Sequence, residues 1–161
     1  MVKKFLNNEV FLWYSVLFVK TKMSEGFIPW HYDDYFWSIT GENGCTVWIA
    51  IDDVSDNMGP MEFCFDSILN HSHQTETNQN NMLARGQNAI ISKDEDFDYV
   101  ELSPGECSLF KQDVVHGSDS NKSENDRMLV ALRYISTDNF NKNNHKSAYL
   151  VSGVDKYNFY E

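Results

Sequence analysis

The fold of this chain is constrained most by a series of short strand patterns separated by turn sequences. Residues 9–20 are rich in β-branched and aromatic side chains, and residues 46–51 form a compact apolar run followed by two aspartates. Further strands are predicted over residues 61–65, 89–92, 99–102, 107–110 and 128–135. No periodic helix longer than about ten residues is predicted. The pattern favours an all-β sandwich or closed barrel over a parallel α/β sheet.

Composition narrows the classes of partner. The chain has 161 residues, of which 42% are apolar, and this suits one domain over residues 1–161 with one core. Its 24 acidic residues outnumber its 13 basic ones, which gives a net charge of −11. That charge repels phosphate backbones and anionic lipid, so no role at a nucleic acid or a membrane surface is expected. No apolar run approaches the roughly 20 residues that span a bilayer.

The odd number of cysteines indicates a reducing compartment. Cys45, Cys64 and Cys107 include no CxxC pair, and each lies in or directly before a predicted strand. Unpaired thiols are therefore expected, which is typical of a cytoplasmic protein. The N-terminal residues weakly resemble a signal peptide, but Glu9 and the lack of a small-residue cleavage site argue against one.

The sequence Trp30-His31-Tyr32-Asp33 carries the first candidate metal ligands. Residues two apart in a strand share a face, so His31 and Asp33 are predicted to point inward together. Two histidines and one carboxylate on one face of an iron leave positions open for other ligands. The pattern alone is common, and its structural alternative is a turn with a capping aspartate.

The third candidate ligand is His116. It follows two valines and precedes a Gly-Ser pair, a context that indicates the scaffold and not a loop tip. The remaining histidines lie in the polar loops 70–81 and 139–146; they are His71, His73 and His145. Two alternatives stay open at this point: His116 is a buried histidine without a metal, or His71 and His73 form a zinc site.

An arginine that follows His116 suits the distal carboxylate of a metal-bound 2-oxo acid. The planar guanidinium of Arg127 matches a carboxylate through two parallel hydrogen bonds, and the Ser118 hydroxyl adds a donor. Arg133 is the rival, about 20 Å further along a strand. Only one of the two arginines is expected to reach the metal site, and the alternative for either is a solvated surface arginine.

Taken together, these pieces resemble the phytanoyl-CoA dioxygenase family of Fe(II)/2-oxoglutarate-dependent oxygenases, with the small-metabolite branch as the nearest. Order and spacing agree as well as the individual motifs. The matching stretches are 30–33 (WHYD), 46–53 (TVWIAIDD), 59–61 (GPM), 84–87 (ARGQ), 102–106 (LSPGE), 116–118 (HGS), 121–123 (NKS) and 131–134 (ALRY).

The resemblance implies a double-stranded β-helix, which is the jelly-roll barrel also found in cupins. It also implies a set of site residues. Those for Fe(II) are His31, Asp33 and His116, and those for 2-oxoglutarate are Arg127, which pairs with the C5 carboxylate, with Ser118, Trp48, Thr46 and Lys20 in the same pocket. Arg133 is expected to be structural.

The activity implied by the resemblance is hydroxylation of a small molecule, with release of succinate and CO2. Halogenating relatives lack the carboxylate ligand, so Asp33 favours hydroxylation. The acidic chain lacks a basic patch for the phosphates of coenzyme A, so a small metabolite is favoured over an acyl-CoA. Loop 70–81 and four aromatic residues are expected to border the substrate; the aromatics are Tyr32, Tyr35, Phe36 and Trp37.

Departures from the family pattern keep other interpretations open. Tyr32 stands where the family usually has glutamine, and residues 65–68 read Phe-Asp-Ser-Ile in place of Pro-Gly-Ser-His. The further N-terminal segment common in the family is expected to be missing, which indicates a trimmed relative or a fragment. The alternatives are a non-catalytic jelly-roll binding domain, an inactive fragment that retains the metal pocket, or a cupin-like metal enzyme without 2-oxoglutarate. The role of Arg127 separates the last of these from the favoured hypothesis.

Overall fold

The fold is mainly β and its strand ladders are antiparallel. A computed structural model describes residues 1–64, 73–75, 77–83, 87–91, 96–143 and 147–161. The strands are β1 (Val10–Lys20), β2 (Ile28–His31), β3 (Gly44–Ala50), β4 (Met61–Cys64), β5 (His73–Thr75), β6 (Gln87–Ala89), β7 (Phe97–Val100), β8 (Cys107–Lys111), β9 (Val115–Ser118), β10 (Arg127–Ser136) and β11 (Tyr149–Ser152). Two short α-helices, α1 (Val2–Leu6) and α2 (Asp34–Trp37), and a 3-10 helix at Asp56–Met58 join them.

Two main sheets enclose the core. The first has the order β11-β1-β10-β3-β8, the second β2-β9-β4-β7, and β5 pairs with β6 in a small third sheet. Trp48, Leu129 and Phe110 of the first sheet pack in one buried cluster with Met61 and Phe63 of the second. Two antiparallel sheets that share an apolar interior are the architecture of a jelly roll, and the predicted all-β jelly-roll class is confirmed.

Most predicted strands are present, and two further strands begin in acidic or polar stretches where no strand was predicted. Within the acidic stretch 93–98, Phe97 and Asp98 begin β7 and pair with β4. Pairing with β4 supplies hydrogen-bond partners for the backbone of β7, and this outweighs the turn propensity of the acidic residues. The polar loop 70–81 contains β5, which pairs with β6. The parts of this loop at 70–72 and 76 lie outside the described residues, as do the 65–68 and 84–86 motifs and residues His71 and His145.

The strand register brings the candidate residues together. His31 is paired with His116 across β2 and β9. On the other sheet β10 lies between β1 and β3, with Arg127 opposite Lys20. Arg133, six residues further along β10, is opposite Thr46. Arg127 and Arg133 of β10 therefore lie beside different residues of the candidate site.

Two further expectations concern helices and thiols. None of the helices among the described residues is long and apolar enough to cross a membrane. None of the three cysteines forms a disulfide, as the sequence predicted, and two of them are buried whereas Cys107 is exposed.

Candidate active site

Two histidines and an aspartate converge in the interior. His31 ends β2, His116 lies in β9, and Asp33 directly precedes α2. One ligand atom from each of the three residues lies within 4.8 Å of the others, and all three side chains are buried. These three residues are the metal ligands predicted from the sequence, and the fold brings them together.

The route by which Asp33 joins the histidines differs from the expected one. The strand ends at His31, and Asp33 has helical backbone angles (φ −62°, ψ −38°). The prediction that strand alternation points His31 and Asp33 to the same face is therefore wrong. The chain turns into α2 at this point, and the turn redirects the side chain. Asp33 occupies the N-cap position but makes no capping hydrogen bond. Its carboxylate is therefore available to the interior, unlike that of a capping aspartate.

Both histidines are held in the form that a metal requires. Nδ1 of His31 lies 2.9 Å from the Pro29 carbonyl oxygen, and Nδ1 of His116 lies 2.9 Å from that of Val114. A carbonyl only accepts, so Nδ1 carries the proton and Nε2 keeps its lone pair. Burial, and next the neighbouring His116, lowers the pKa of His31 to about 3, and burial also lowers the pKa of His116. Both rings are therefore neutral at pH 7, which metal binding needs.

The Asp33 carboxylate contacts side chains from two adjacent strands, β3 and β10. The Thr46 hydroxyl donates to Oδ2 at 2.6 Å, and an Nη of Arg133 lies 3.3 Å from Oδ1. Burial by itself would raise the pKa of this carboxyl, but Arg133 and the two histidines outweigh it and hold the pKa below its ordinary value. Thr46, expected near 2-oxoglutarate, thus contacts a candidate metal ligand. Arg133, expected to be structural, forms an ion pair with that same ligand.

The donor set fits a ferrous ion. Two neutral imidazoles and one ionised carboxylate are the 2-His-1-carboxylate set of non-haem iron sites. A cavity of about 20 Å³ adjoins them, and its lining includes His31, Asp33, Thr46, Trp48 and His116. That volume holds an ion or a water molecule. Aromatic rings border the histidines, with Phe110 4.7 Å from His116 and Phe36 5.7 Å from His31 between ring centroids.

A second cluster joins two buried cations through one hydroxyl. Lys20 donates to Ser118 Oγ at 2.6 Å, and Arg127 donates to the same atom at 3.0 Å. Arg127 is fully buried, with its guanidinium 5.1 Å from the centroid of a Trp48 ring. Its other contacts are the carbonyl oxygens of Met58, at 3.3 Å, and Gly59. Four of the five residues predicted around 2-oxoglutarate therefore lie side by side, and the fifth, Thr46, contacts Asp33 instead.

A glycine makes this cluster possible. The Gly59 carbonyl accepts hydrogen bonds from both Arg127 and Ser118. Gly59 has a φ of +65°, and a Cβ at this position would collide with the Asp119 carbonyl oxygen. Replacing Gly59 would displace the carbonyl that positions both side chains.

The electrostatics of the cluster suit an anion. Among the described residues, no carboxylate forms an ion pair with Lys20 or Arg127, and Nη1 of Arg127 is buried without a hydrogen-bond partner. Burial, and next the charge of Arg127, lowers the pKa of Lys20 to about 7, and burial lowers the pKa of Arg127 to about 10. A ligand carboxylate would supply the missing negative charge and the missing acceptor. The residues present therefore fit the distal end of a diacid.

A larger cavity of about 490 Å³ opens beside the metal ligands. It shares His31, Asp33 and Arg133 with the small cavity, so the two are adjacent. Phe36 and Trp37 line it as expected, whereas Tyr32 and Tyr35 are absent from its described lining. The other residues of the lining are Trp13, Tyr14, Val16, Phe18, Met82, Leu83, Asn141 and Asn143.

Sequence reasoning missed the contribution of β1 to this cavity. Tyr14, Val16 and Phe18 follow the two-residue alternation of a strand, and this signal was available. Trp13 joins them because the pairing of β1 with β10 shifts register between Leu12 and Tyr14, and a bulge of this kind leaves no sequence signature.

Known structures with this architecture are non-haem oxygenases and related enzymes. The apo form of the non-heme monooxygenase ThoJ is 25% identical with a TM-score of 0.82, covering 99% of this chain and 59% of ThoJ. The α-ketoglutarate-dependent epimerase SnoN from nogalamycin biosynthesis is 17% identical with a TM-score of 0.66, covering 85% of this chain and 51% of SnoN. EctD from S. alaskensis, with 2-oxoglutarate and 5-hydroxyectoine, is 17% identical with a TM-score of 0.67 and coverages of 84% and 48%.

The chain thus spans about half of these proteins, or a little more. No curated protein sequence matches it. The family model described as phytanoyl-CoA dioxygenase (PhyH) matches residues 1–129, which is most of the chain. The resemblance drawn from the motifs is therefore confirmed, and this chain belongs to the phytanoyl-CoA dioxygenase family.

Proposed function

We propose that this protein is an Fe(II)- and 2-oxoglutarate-dependent oxygenase that hydroxylates a small molecule and releases succinate and CO2. The observation that carries the proposal is the joint presence of the buried His31–Asp33–His116 triad and the Lys20–Arg127–Ser118 cluster. A protein that only bound a metal would have no use for two buried cations that form no ion pair with a carboxylate among the described residues. Support comes from similar structures that contain 2-oxoglutarate, namely EctD, or Fe3+ with α-ketoglutarate, namely SnoN.

In this proposal His31, Asp33 and His116 hold the iron, which supplies the oxidising chemistry when 2-oxoglutarate and dioxygen are present. Thr46 and Arg133 keep Asp33 ionised and oriented through its two oxygens. The backbone carbonyls of Pro29 and Val114 keep each histidine in its Nδ1–H tautomer. Each ligand therefore has its own supporting contact.

The C5 carboxylate of 2-oxoglutarate is assigned to Arg127, with Lys20 and Ser118 as further donors. The small cavity is lined by the triad and, of this cluster, by Ser118, so it must widen toward Arg127 to take an extended diacid, because about 20 Å³ holds only an ion or a water molecule. We expect the Lys20 side chain to shift from Ser118 to the ligand in that step. Trp48 then forms the wall beside Arg127.

The hydroxylated compound is assigned to the larger cavity, which lies beside the triad and has mainly aromatic and aliphatic walls. Asp33 occupies the position that halogenating relatives leave free, and this favours hydroxylation. The net charge of −11 disfavours a coenzyme A ester and nucleic acid as partners. The three cysteines, none of which forms a disulfide, favour the cytoplasm as the location.

The test is an anaerobic titration of the purified protein with Fe(II) and 2-oxoglutarate, followed through the weak visible charge-transfer band of a chelated 2-oxo acid. We expect a band in the wild type, none in His116→Ala, and a higher 2-oxoglutarate requirement in Arg127→Gln. The control is Lys4→Gln, which removes an exposed cation from α1. A folded wild type without a band would overturn the proposal and favour a non-catalytic binding domain. A normal 2-oxoglutarate requirement in Arg127→Gln would favour a metal enzyme of another kind.

A further inference from the structure

The larger cavity contains one positive charge whose role the triad and the 2-oxoglutarate cluster leave unexplained. Among the described lining residues, Arg133 is the only cation and Asp33 the only carboxylate. Arg133 lies at the opposite end of the site from Arg127, and its side chain is 19% exposed. It is thus reachable from the cavity, unlike the fully buried Arg127.

The guanidinium of Arg133 is held rigidly while much of its hydrogen-bonding capacity stays unused. Its carbon lies 5.6 Å from the ring centroid of Tyr14 and 5.9 Å from that of Trp37. One Nη lies 3.3 Å from Asp33, which is long for a charge-assisted hydrogen bond. Nε is buried without a hydrogen-bond partner among the described residues. An arginine has five N–H donors, so a second acceptor can bind this one.

The ion pair with Asp33 does not explain two features of Arg133. Its Nε is buried without a hydrogen-bond partner among the described residues, and its side chain lines a large cavity. Thr46 already holds the other carboxylate oxygen of Asp33 at 2.6 Å. A buried polar group without a partner is costly, and a ligand carboxylate would remove that cost. A planar guanidinium is also the cation best suited to a planar carboxylate.

The rest of the cavity indicates what the acid carries. The walls are mainly aromatic or aliphatic, with Trp13, Phe36, Trp37 and Leu83 among them, and two asparagines complete the described lining. A volume of about 490 Å³ lies within the range of small-molecule sites. With a net charge of −11, the chain provides no long-range attraction for an anion, so local contact with Arg133 must provide the affinity.

We infer that Arg133 binds the carboxylate of the substrate, and that the substrate is a small acid with an apolar or aromatic body. This inference rests on the proposed function and specifies its substrate class. Arg133 would then have two roles, one as a positioning residue for Asp33 and one as a direct contact to the substrate. The inference does not concern the 2-oxoglutarate carboxylate, which is assigned to Arg127.

The test compares small acids with their neutral amides on protein loaded with Zn(II) and saturated with 2-oxoglutarate. The probes are phenylacetate, 3-phenylpropionate and indole-3-acetate, each beside its primary amide, and binding is measured by titration calorimetry and ligand-observed NMR. We expect at least one acid to bind about tenfold more tightly than its amide. We expect Arg133→Gln to lose that preference and Arg133→Lys to keep part of it.

The variant Arg127→Gln provides the matched comparison from the same strand. It should need more 2-oxoglutarate for saturation and, once saturated, still prefer the acid. The inference is overturned if no acid is preferred over its amide by the wild type, or if the preference persists in folded Arg133→Gln. If Arg133→Gln does not fold, the wild-type comparison and Arg133→Lys decide the question. Failure of the proposed function would appear separately, as no charge-transfer band with Fe(II) and 2-oxoglutarate in the wild type.

Discussion

Lys20 and Arg127 lie directly opposite each other on neighbouring antiparallel strands, and both donate to the hydroxyl of Ser118. Like charges in directly opposed positions ordinarily destabilise a sheet. Here the pair is also buried, and the lowered pKa of Lys20, about 7, reflects that cost. An arrangement of this kind lowers the stability of the free protein and raises its affinity for an anion.

The first prediction concerns stability without a ligand. The pKa of Lys20 is about 7 in the folded protein and near 10.5 when unfolded, so above pH 7 the unfolded chain binds more protons. Stability from this group therefore rises with pH, by about 2 kcal/mol between about pH 7 and 8.5. Urea unfolding of wild type and Lys20→Met should reveal this rise in the wild type only. Parallel pH profiles for the two proteins would contradict the pKa assigned to Lys20.

The second prediction concerns protons taken up on binding. A carboxylate beside Lys20 favours the charged amine, so 2-oxoglutarate binding near pH 8 should take up as much as about one proton. Calorimetry on the Zn(II)-loaded protein, in two buffers of different ionisation enthalpy, measures the uptake. Lys20→Met should bind 2-oxoglutarate with the same enthalpy in both buffers. The same result for the wild type would mean that the ligand carboxylate lies elsewhere.

The third prediction concerns the contacts that hold Asp33. Thr46→Val removes the hydroxyl that donates to Oδ2, and metal affinity should fall by about 10- to 100-fold. The conservative variant Thr46→Ser keeps the hydroxyl and should retain most of the affinity. Competition with a chromophoric chelator for Zn(II) measures both constants. If the valine variant bound metal as tightly as the wild type, the Thr46 contact would have no role in the site.

The fourth prediction concerns the aromatic packing behind His116. Phe110 is 6% exposed and lies between His116 and Phe63, with ring centroids 4.7 and 5.1 Å away. Phe110→Ala should lower the free energy of unfolding by about 3–5 kcal/mol because it leaves a cavity in the core. Phe97→Ala provides the control, since Phe97 is 56% exposed on β7 and should cost less than about 1 kcal/mol. An equal loss of unfolding free energy in the two variants would show that packing of Phe110 does not stabilise the core.

Several parts of the fold and site were predictable from local signals. Strands such as β1, β3 and β10 are long runs of apolar and β-branched residues, which make a mainly β fold readable without coordinates. The motifs around His31 and His116 identified the candidate ligands through residue type and order along the chain. Chemistry of this kind depends on which side chains are present, and the sequence states that directly.

Other parts depended on which distant residues meet. His31 and Asp33 were assigned to one strand, but β2 ends at His31 and Asp33 is the N-cap of α2, because two residues contain no signal for where a strand ends. Arg133 was expected to be structural. Its ion pair with Asp33 could not be predicted because it joins segments that are far apart in sequence. The contact of Lys20 with Ser118 joins residues that are 98 positions apart.

By itself the sequence determined the fold class, the family and the set of chemically able side chains. Tertiary structure alone decided how these side chains are divided among tasks: Thr46 and Arg133 on Asp33, Lys20 and Arg127 on Ser118, and Arg133 also in the wall of the larger cavity. The physical reason is that alternation along a strand fixes only the face on which a residue lies. The partner across the sheet depends on the register between strands, which is set by packing of the whole core.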